Sequence, residues 1–182
     1  QGTLVMKEDA EMETVLVSGI AFNKDEAKIS VLGVPDQPGI AAQIFSPLTE
    51  SNITVDMIIQ NVSSDGKTDM TFTVPKTDCK KALLIIEPVA ASIGASGVSS
   101  DTAISKVSII GVGMRSHAGV ASQMFATLSK EGINIEMIST SEIRISIVCR
   151  SSDLDKGVKA AHTVFDLDAD QIEAVVYGGS GR

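Results

Sequence analysis

Aromatic residues and cysteines are scarce in this chain of 182 residues. It has no tryptophan, and an aromatic share of only 3% means that its hydrophobic cores must be built from aliphatic side chains. The two cysteines, Cys79 and Cys149, lie in different halves of the sequence. Two such distant cysteines do not make the disulfide framework of a small secreted domain, so a reducing compartment, the cytoplasm, is expected.

Basic charge and long apolar runs are also lacking. Lys and Arg number 15 against 23 Asp and Glu, which gives a net charge of −8. Because an acidic chain cannot neutralise many phosphates, we expect no nucleic-acid partner. No apolar run in the sequence approaches the length of a membrane span, and no signal-peptide pattern opens it, so we expect no membrane partner either.

The chain does contain an internal repeat. Three segments of the first half return in the second half in the same order: Ile29–Val34 as Val107–Val112, Gly39–Leu48 as Gly119–Leu128, and Ile53–Ile58 as Ile133–Ile138. The first pair is offset by 78 residues (107 − 29) and the other two by 80 (119 − 39 and 133 − 53). A repeat of this length indicates a small domain that has been duplicated, because solenoid units have periods of 20–50 residues.

The pattern within each repeat predicts an α+β fold. Alternating β-branched residues predict strands, and apolar residues at helical spacing, such as Ile40, Ile44 and Leu48, predict helices. Each unit reads as β-α-β-β-α-β, a ferredoxin-like antiparallel sheet with two helices on one face. Units of this size need a partner for their edges and open faces, so we expect them to pair side by side.

The predicted organisation has three parts. Residues 1–13 are a polar linker or tail, residues 14–102 form the first domain, and residues 103–182 form the second. A strand at residues 14–21 precedes the first repeat, and the pattern leaves open whether it pairs with the second domain. The last strand is predicted at residues 172–177, and the Gly-rich end after it lacks the Lys of a phosphate loop.

The first loop, between a predicted strand and a predicted helix, has the chemistry of an amino-acid site. The N-terminal turn of a helix offers free N–H groups and the positive end of the dipole, which suit a carboxylate. Gly39 allows a ligand to approach the backbone, and Asp36 can receive an ammonium group. The alternative is that Asp36 only caps the helix and that Pro38 only starts it.

Four longer motifs resemble the regulatory half of aspartate kinases: Asp36–Gly39, Val55–Asn61, Ser116–Gly119 and Asn134–Ser146. The resemblance extends from about Val15 to the end of the chain. It implies two tandem ACT domains that bind threonine, lysine or both, form a homodimer, and inhibit an aspartate kinase catalytic domain or α subunit. It also implies that ATP and Mg are used only by that catalytic domain, so no cofactor and no metal are expected here.

The resemblance also implies the effector-binding residues, carried over position by position. The expected effector site consists of Asp36, Pro38, Gly39, Ile40, Ala41, Gln60, Ile133, Asn134 and Ile135. The helix N–H groups would take the carboxylate, Asp36 the ammonium group, and Gln60 or Asn134 a hydroxyl, which favours threonine. The second loop supplies no acid, so that site is either empty or different, for instance a lysine site helped by Glu136 or Glu142. Its expected residues are Met114, Ser116, His117, Ala118, Gly119, Ser139 and Ser141.

Two other classes of function remain to be weighed. An enzyme would need a nucleophile and a base, but Cys79, Cys149, His117 and His162 show no pairing in the sequence. Gly111 and Gly113 follow a strand as in a dinucleotide loop, but Ser116 replaces the third glycine. The other alternative is a stand-alone amino-acid sensor or dimerisation module, with the same fold but no kinase partner.

Overall fold

The computed structural model describes residues 16–62, 66–112 and 118–168. The predicted tail at residues 1–13 and the predicted last strand at 172–177 lie outside these ranges. The described part contains six strands and four helices. The strands are β1 (Leu16–Pro35), β2 (Ile58–Val62), β3 (Lys67–Val74), β4 (Gly97–Val112), β5 (Met137–Thr140) and β6 (Arg144–Arg150). The helices are α1 (Ile40–Glu50), α2 (Cys79–Ser92), α3 (Ala118–Lys130) and α4 (Leu154–Val164).

Two long antiparallel strands, β1 and β4, run through both repeats. All six strands form one sheet in the order β2-β3-β1-β4-β6-β5. The sequence predicted two separate strands where β1 is continuous over 20 residues. Strand β4 crosses the predicted domain boundary after residue 102 without interruption. The two units are therefore joined by shared strands and not by a flexible connection.

Both units have the same arrangement of strands, but the two units take the corresponding strand from different parts of the chain. In the first unit, residues 97–101 of β4 pair with residues 28–32 of β1. In the second unit, the corresponding place beside β4 is occupied by residues 16–23 of β1, which pair with residues 106–112. The strand that precedes the first repeat therefore completes the sheet of the second one. In topological terms, the first unit is inserted into the second.

Each unit has its own hydrophobic core between the sheet and a pair of helices. Helix α1 buries Ile40, Ile44 and Leu48 against β1 and β3, and the ring of Phe45 contacts that of Phe72 edge to face at 5.2 Å. Helix α3 buries the counterparts in the second core, namely Val120, Met124 and Leu128. Each fully buried side chain of this size contributes about 1.5–3 kcal/mol, so the helices are fixed mainly by this apolar stripe.

On the opposite face of the sheet, the two units meet at a junction, formed by residues 23–28 of β1 and 101–106 of β4. The pairing register of the two strands shifts there twice, between Asn23 and Glu26 and again between Glu26 and Lys28. Met57 of the first unit and its repeat counterpart Met137 belong to one small apolar cluster. Because these methionines come from opposite edges of the six-stranded sheet, the sheet must curve around the junction.

Two ion pairs cross this junction, and the internal repeat relates one pair to the other. Lys28 pairs with Glu136, while Lys106, its counterpart (28 + 78), pairs with Asp56, the counterpart of Glu136 (136 − 80). Lys106 also lies 2.7 Å from Glu26, which is only 3% exposed. Burial lowers the pKa of Lys106, but the hydrogen bonds that it donates to Asp56 and Glu26 outweigh this effect. The net result is a pKa above the usual value for lysine. The units thus contact each other around an approximate internal two-fold axis.

Candidate functional site

The first loop leads from β1 into a helix that no side chain caps. The backbone N–H of Asp36 donates to the carbonyl of Gly66 at 3.0 Å, which ties the loop to the β2–β3 hairpin. Gly39 is the residue before the first helical turn, with φ of +91°, a value that disfavours any other residue. Among the described residues, no side chain makes a capping hydrogen bond to the start of helix α1. The N–H of Ile40 donates to the carbonyl of Gln37 at 3.4 Å, so the N–H groups of Ala41 and Ala42 are the ones of the first turn that are available to an outside acceptor.

The carboxylate of Asp36 is exposed and makes no hydrogen bond or ion pair with the described residues. It therefore does not serve as the helix cap, which was the alternative left open by the sequence. Pro38 and Ala41 are exposed as well, while the side chain of Ile40 is buried in the first core. The loop thus presents an unpaired negative charge beside an uncapped helix terminus. This combination can bind the ammonium and carboxylate groups of a free amino acid.

Gln60 lies at the same end of the sheet as this loop. It is exposed on the edge strand β2, opposite Met70. Two residues later, Val62 pairs with Thr68, and Thr68 also pairs with Val34 at the end of β1. The structure therefore places Gln60 near the end of the sheet from which the loop with Asp36 leaves, in keeping with a shared site.

Ile133, Asn134 and Ile135 lie far from the first loop within one chain. Ile133 follows α3 and is buried in the second core, while Asn134 is exposed. The next residue, Glu136, is bound to Lys28 at the junction. Seven residues of β1 separate Lys28 from Pro35, a distance of roughly 23 Å along a strand. One chain alone therefore does not bring these three residues together with Asp36.

Around the second loop, Met114, Ser116 and His117 lie outside the described residues. Ala118 and Gly119 begin α3. Ser139 is exposed on β5, and Ser141 follows that strand, where its backbone N–H donates to the carbonyl of Arg144 at 2.7 Å. The N–H of Gly111 donates to the carbonyl of Ile143 at 3.0 Å, so this turn lies beside the end of β4 that leads to the second loop.

Within one chain, Glu136 lies at the other end of α3 from the second loop. It follows the C-terminal end of α3, whereas the second loop precedes the N-terminal end of this 13-residue helix. Its carboxylate already bonds to Lys28 and to Arg150, the latter at 3.1 Å. Within one chain, Glu136 is therefore part of the junction.

One acidic residue near the first loop was not singled out from the sequence. The carboxylate of Asp69, on β3, accepts a hydrogen bond from the backbone N–H of Gly33 at 2.8 Å. A signal was present in the repeat. Phe72 faces Ile29, and Ile147 faces its counterpart Val107, so β3 and β6 are offset by 75 residues (147 − 72). At this offset an acid in the first unit, Asp69, corresponds to a base in the second, Arg144.

Of the residues considered as nucleophiles or bases, Cys79, Cys149 and His162 lie in the described ranges, and no hydrogen bond or ion pair joins them there. Both cysteines are buried and free, and burial, together with the nearby charges of Asp153 and Glu136, raises the pKa of Cys149 to about 11. His162 lies on α4, and its Nδ1 is 4.0 Å from the exposed carboxylate of Asp168. Within the three described ranges, no group of three or more His, Cys, Asp or Glu residues could hold a metal ion. Nor is any described helix long and apolar enough to cross a membrane.

A sequence profile of the ACT domain matches the chain twice, over residues 29–88 and 107–165. The chain belongs to the ACT domain family. The two matches correspond to the two units of the fold, so the prediction of tandem ferredoxin-like ACT domains, with helices on one face of antiparallel sheets, is confirmed.

The ACT units resemble known regulatory proteins over nearly their whole length. The regulatory subunit of aspartate kinase from Thermus thermophilus, in a ligand-free form, is 44% identical, with a TM-score of 0.77 over 82% of this chain and 98% of that one. A chain in a crystal structure of aspartokinase alpha and beta subunits is 48% identical, with a TM-score of 0.77 over 83% of this chain and 99% of that one.

Among full-length relatives, an aspartate kinase of Pseudomonas putida is 57% identical over 169 residues, which make up 92% of this chain and 41% of that protein. The chain thus spans about two fifths of the length of the curated relatives it matches. The resemblance to the regulatory part of aspartate kinases is confirmed, and the catalytic part of those relatives is not among these 182 residues.

Proposed function

We propose that this tandem ACT chain binds an end-product amino acid, threonine, and thereby inhibits the phosphorylation of aspartate in lysine, threonine and methionine biosynthesis. The kinase activity would reside in a catalytic domain or α subunit, which alone uses ATP and Mg. In this proposal the complex works in the cytoplasm. The observation that carries it is the uncapped start of α1 beside the unpaired carboxylate of Asp36.

The ligand chemistry follows from the first loop. The free N–H groups of α1 bind the α-carboxylate, and the helix dipole adds to that attraction. In this proposal Asp36 binds the α-ammonium group, and the side-chain amide of Gln60 bonds a hydroxyl. A small hydroxylated amino acid satisfies all three groups, which is why threonine is preferred. Lysine remains a second candidate effector, at the second loop.

The proposed site is completed by a second chain. Ile133, Asn134 and Ile135 directly precede Glu136, which bonds to Lys28, and Lys28 lies roughly 23 Å along β1 from Pro35. In this proposal they therefore reach the first loop from a partner. Ile58 and its repeat counterpart Ile138 are exposed on the edge strands β2 and β5, with exposed fractions of 52% and 43%. Unpaired edges that carry apolar side chains favour association with another sheet. We therefore propose a homodimer that forms through the ACT units.

Titration calorimetry with a panel of amino acids tests the proposed ligand. Threonine should bind, and Asp36→Ala should weaken its binding at least tenfold, about 1.4 kcal/mol. The matched control is Asp155→Ala, since Asp155 is an exposed aspartate on α4 whose contact is with Lys24. Unchanged affinity in Asp36→Ala would remove Asp36 from the site. If no amino acid bound, only the dimerisation module would remain.

Sedimentation tests the shared site independently of the ligand. The chain should be a dimer at micromolar concentration, and the dimer should be tightened by threonine, because a ligand that binds an interface stabilises it. A monomer with or without threonine would contradict a site made from two chains.

A further inference from the structure

Strand β1 contains a bulge three residues before the first effector loop. The pairing of β1 with β3 shifts register between Val31 and Val34, opposite Asp69. Within the bulge, Gly33 adopts φ of +61°, a conformation that side-chain-bearing residues rarely adopt. Its N–H cannot follow the regular ladder there and donates to the Asp69 carboxylate at 2.8 Å. A side chain thus takes the place of a backbone acceptor.

The other side of the bulge is closely packed. The N–H of Ser96 donates to the carbonyl of Leu32 at 2.7 Å, and a Cβ on Gly33 would collide with the side chain of Ser96. The bulge is therefore held between Ser96 on one side and Asp69 on the other. From there β1 continues through Val34 to Pro35 and directly into the loop, so the bulge sets the direction in which the loop leaves the sheet.

The second unit lacks this arrangement. Gly111, the counterpart of Gly33 (33 + 78), donates its N–H to a backbone carbonyl, that of Ile143, at 3.0 Å. The counterpart of Asp69 is Arg144, which is basic and offers no side-chain acceptor. In the described residues, the bond from a bulge glycine to a carboxylate is therefore seen in the first unit, whose loop also contains the acid Asp36.

We propose that Asp69 is a positioning residue for the effector loop of the first unit. It acts through Gly33, by accepting the Gly33 N–H, and orients Asp36 and the start of α1 toward the amino acid. It does not itself touch the ligand. This inference rests on the proposed function, and it assigns the hydrogen bond, not the negative charge, as the feature of Asp69 that matters.

Asp69→Asn and Asp69→Ala separate the hydrogen bond from the charge. The Asn amide oxygen can still accept the Gly33 N–H, whereas Ala cannot. Threonine and lysine binding is measured by calorimetry on the full 182-residue chain, well below its melting temperature. Exchange of the Gly33 amide proton, followed by NMR without ligand, reports the hydrogen bond directly. Asp155→Ala is the control carboxylate.

Asp69→Ala should weaken effector binding at least tenfold and speed Gly33 amide exchange at least tenfold. Asp69→Asn should stay within about threefold of the unsubstituted chain in both measurements, as should Asp155→Ala. A tenfold change in affinity equals about 1.4 kcal/mol. The role of Asp69 is overturned if Asp69→Ala binds as tightly as the unsubstituted chain. It is equally overturned if Asp69→Asn binds as weakly as Asp69→Ala, because the charge would then be what matters. If the unsubstituted chain bound neither amino acid, the proposed function would fail first, and the positioning role with it.

Discussion

The two junction lysines are equivalent by the repeat, yet their removal should have unequal costs. Lys28 and Lys106 each pair with a carboxylate of the other unit, but their surroundings differ. In Lys28→Met, Glu136 loses one partner and keeps Arg150 at 3.1 Å. In Lys106→Met, Glu26 loses the ammonium group at 2.7 Å, and the partner it keeps among the described residues is the side-chain amide of Asn23, at 3.0 Å.

The magnitude follows from the burial of the carboxylate left behind. Glu26 is 3% exposed, and removing one partner of such a buried pair costs about 3–5 kcal/mol, because the remaining charge is desolvated without compensation. Glu136 retains a charged partner, so Lys28→Met forfeits one charge-assisted hydrogen bond, about 1.5–3 kcal/mol. We therefore expect Lys106→Met to be the more destabilising change by about 2 kcal/mol, the difference between these two ranges.

Urea unfolding followed by circular dichroism at pH 7, at one protein concentration, measures both variants. The double variant Lys106→Met with Glu26→Gln is the matched control for Lys106→Met. It removes the negative charge of Glu26 that Lys106→Met leaves without an ammonium partner. The double variant should regain about 2 kcal/mol relative to Lys106→Met alone. The reasoning is refuted if Lys106→Met costs no more than Lys28→Met, or if Glu26→Gln brings no recovery in the Lys106→Met background.

Three further outcomes are expected. Phe72→Ala, at a fully buried position, should cost about 3–5 kcal/mol in urea unfolding, whereas Leu84→Ala, at a position 75% exposed, should stay within about 0.5 kcal/mol. Because burial raises its pKa to about 11, Cys149 should react with maleimide at pH 8 far more slowly in the folded chain than in urea; equal rates would contradict the burial. The hydrogen bond from Arg150 lowers the pKa of Asp101, so Asp101→Asn should destabilise at pH 7, and the difference should shrink as the pH falls below about 4; a difference independent of pH would contradict this.

The helices and the repeat could be predicted from the sequence because their signals are local. Ile40, Ile44 and Leu48 recur at helical spacing after a cluster of turn residues, and α1 spans Ile40–Glu50. The same pattern 80 residues later predicts α3 with equal force. The uncapped loop beside Asp36 could also be anticipated, since turn formers and an acid stand together there.

The shared strands could not be predicted, because alternating residues indicate a strand but not the strand with which it pairs. Residues 16–23 alternate like any half-buried strand, but their partner, residues 106–112, lies more than 80 residues away. The same limit applies to Ile133, whose distance from the first loop depends on how the sheet curves at the junction. Asp69 was missed for another reason. Its role depends on a bulge in the facing strand, which only the register reveals.

The insertion of the first unit into the second also constrains how the chain emerges from the ribosome. Residues 16–23 are translated 83 to 96 residues ahead of the segment they pair with (106 − 23 and 112 − 16). At 5–20 residues per second, that strand waits between roughly 4 and 20 seconds for its neighbour. During this interval the inserted unit can close on its own, while Val17 and Ile20 lack the second core against which they pack in the folded chain. Nascent chains stalled before β4 should therefore be the species most prone to capture by chaperones.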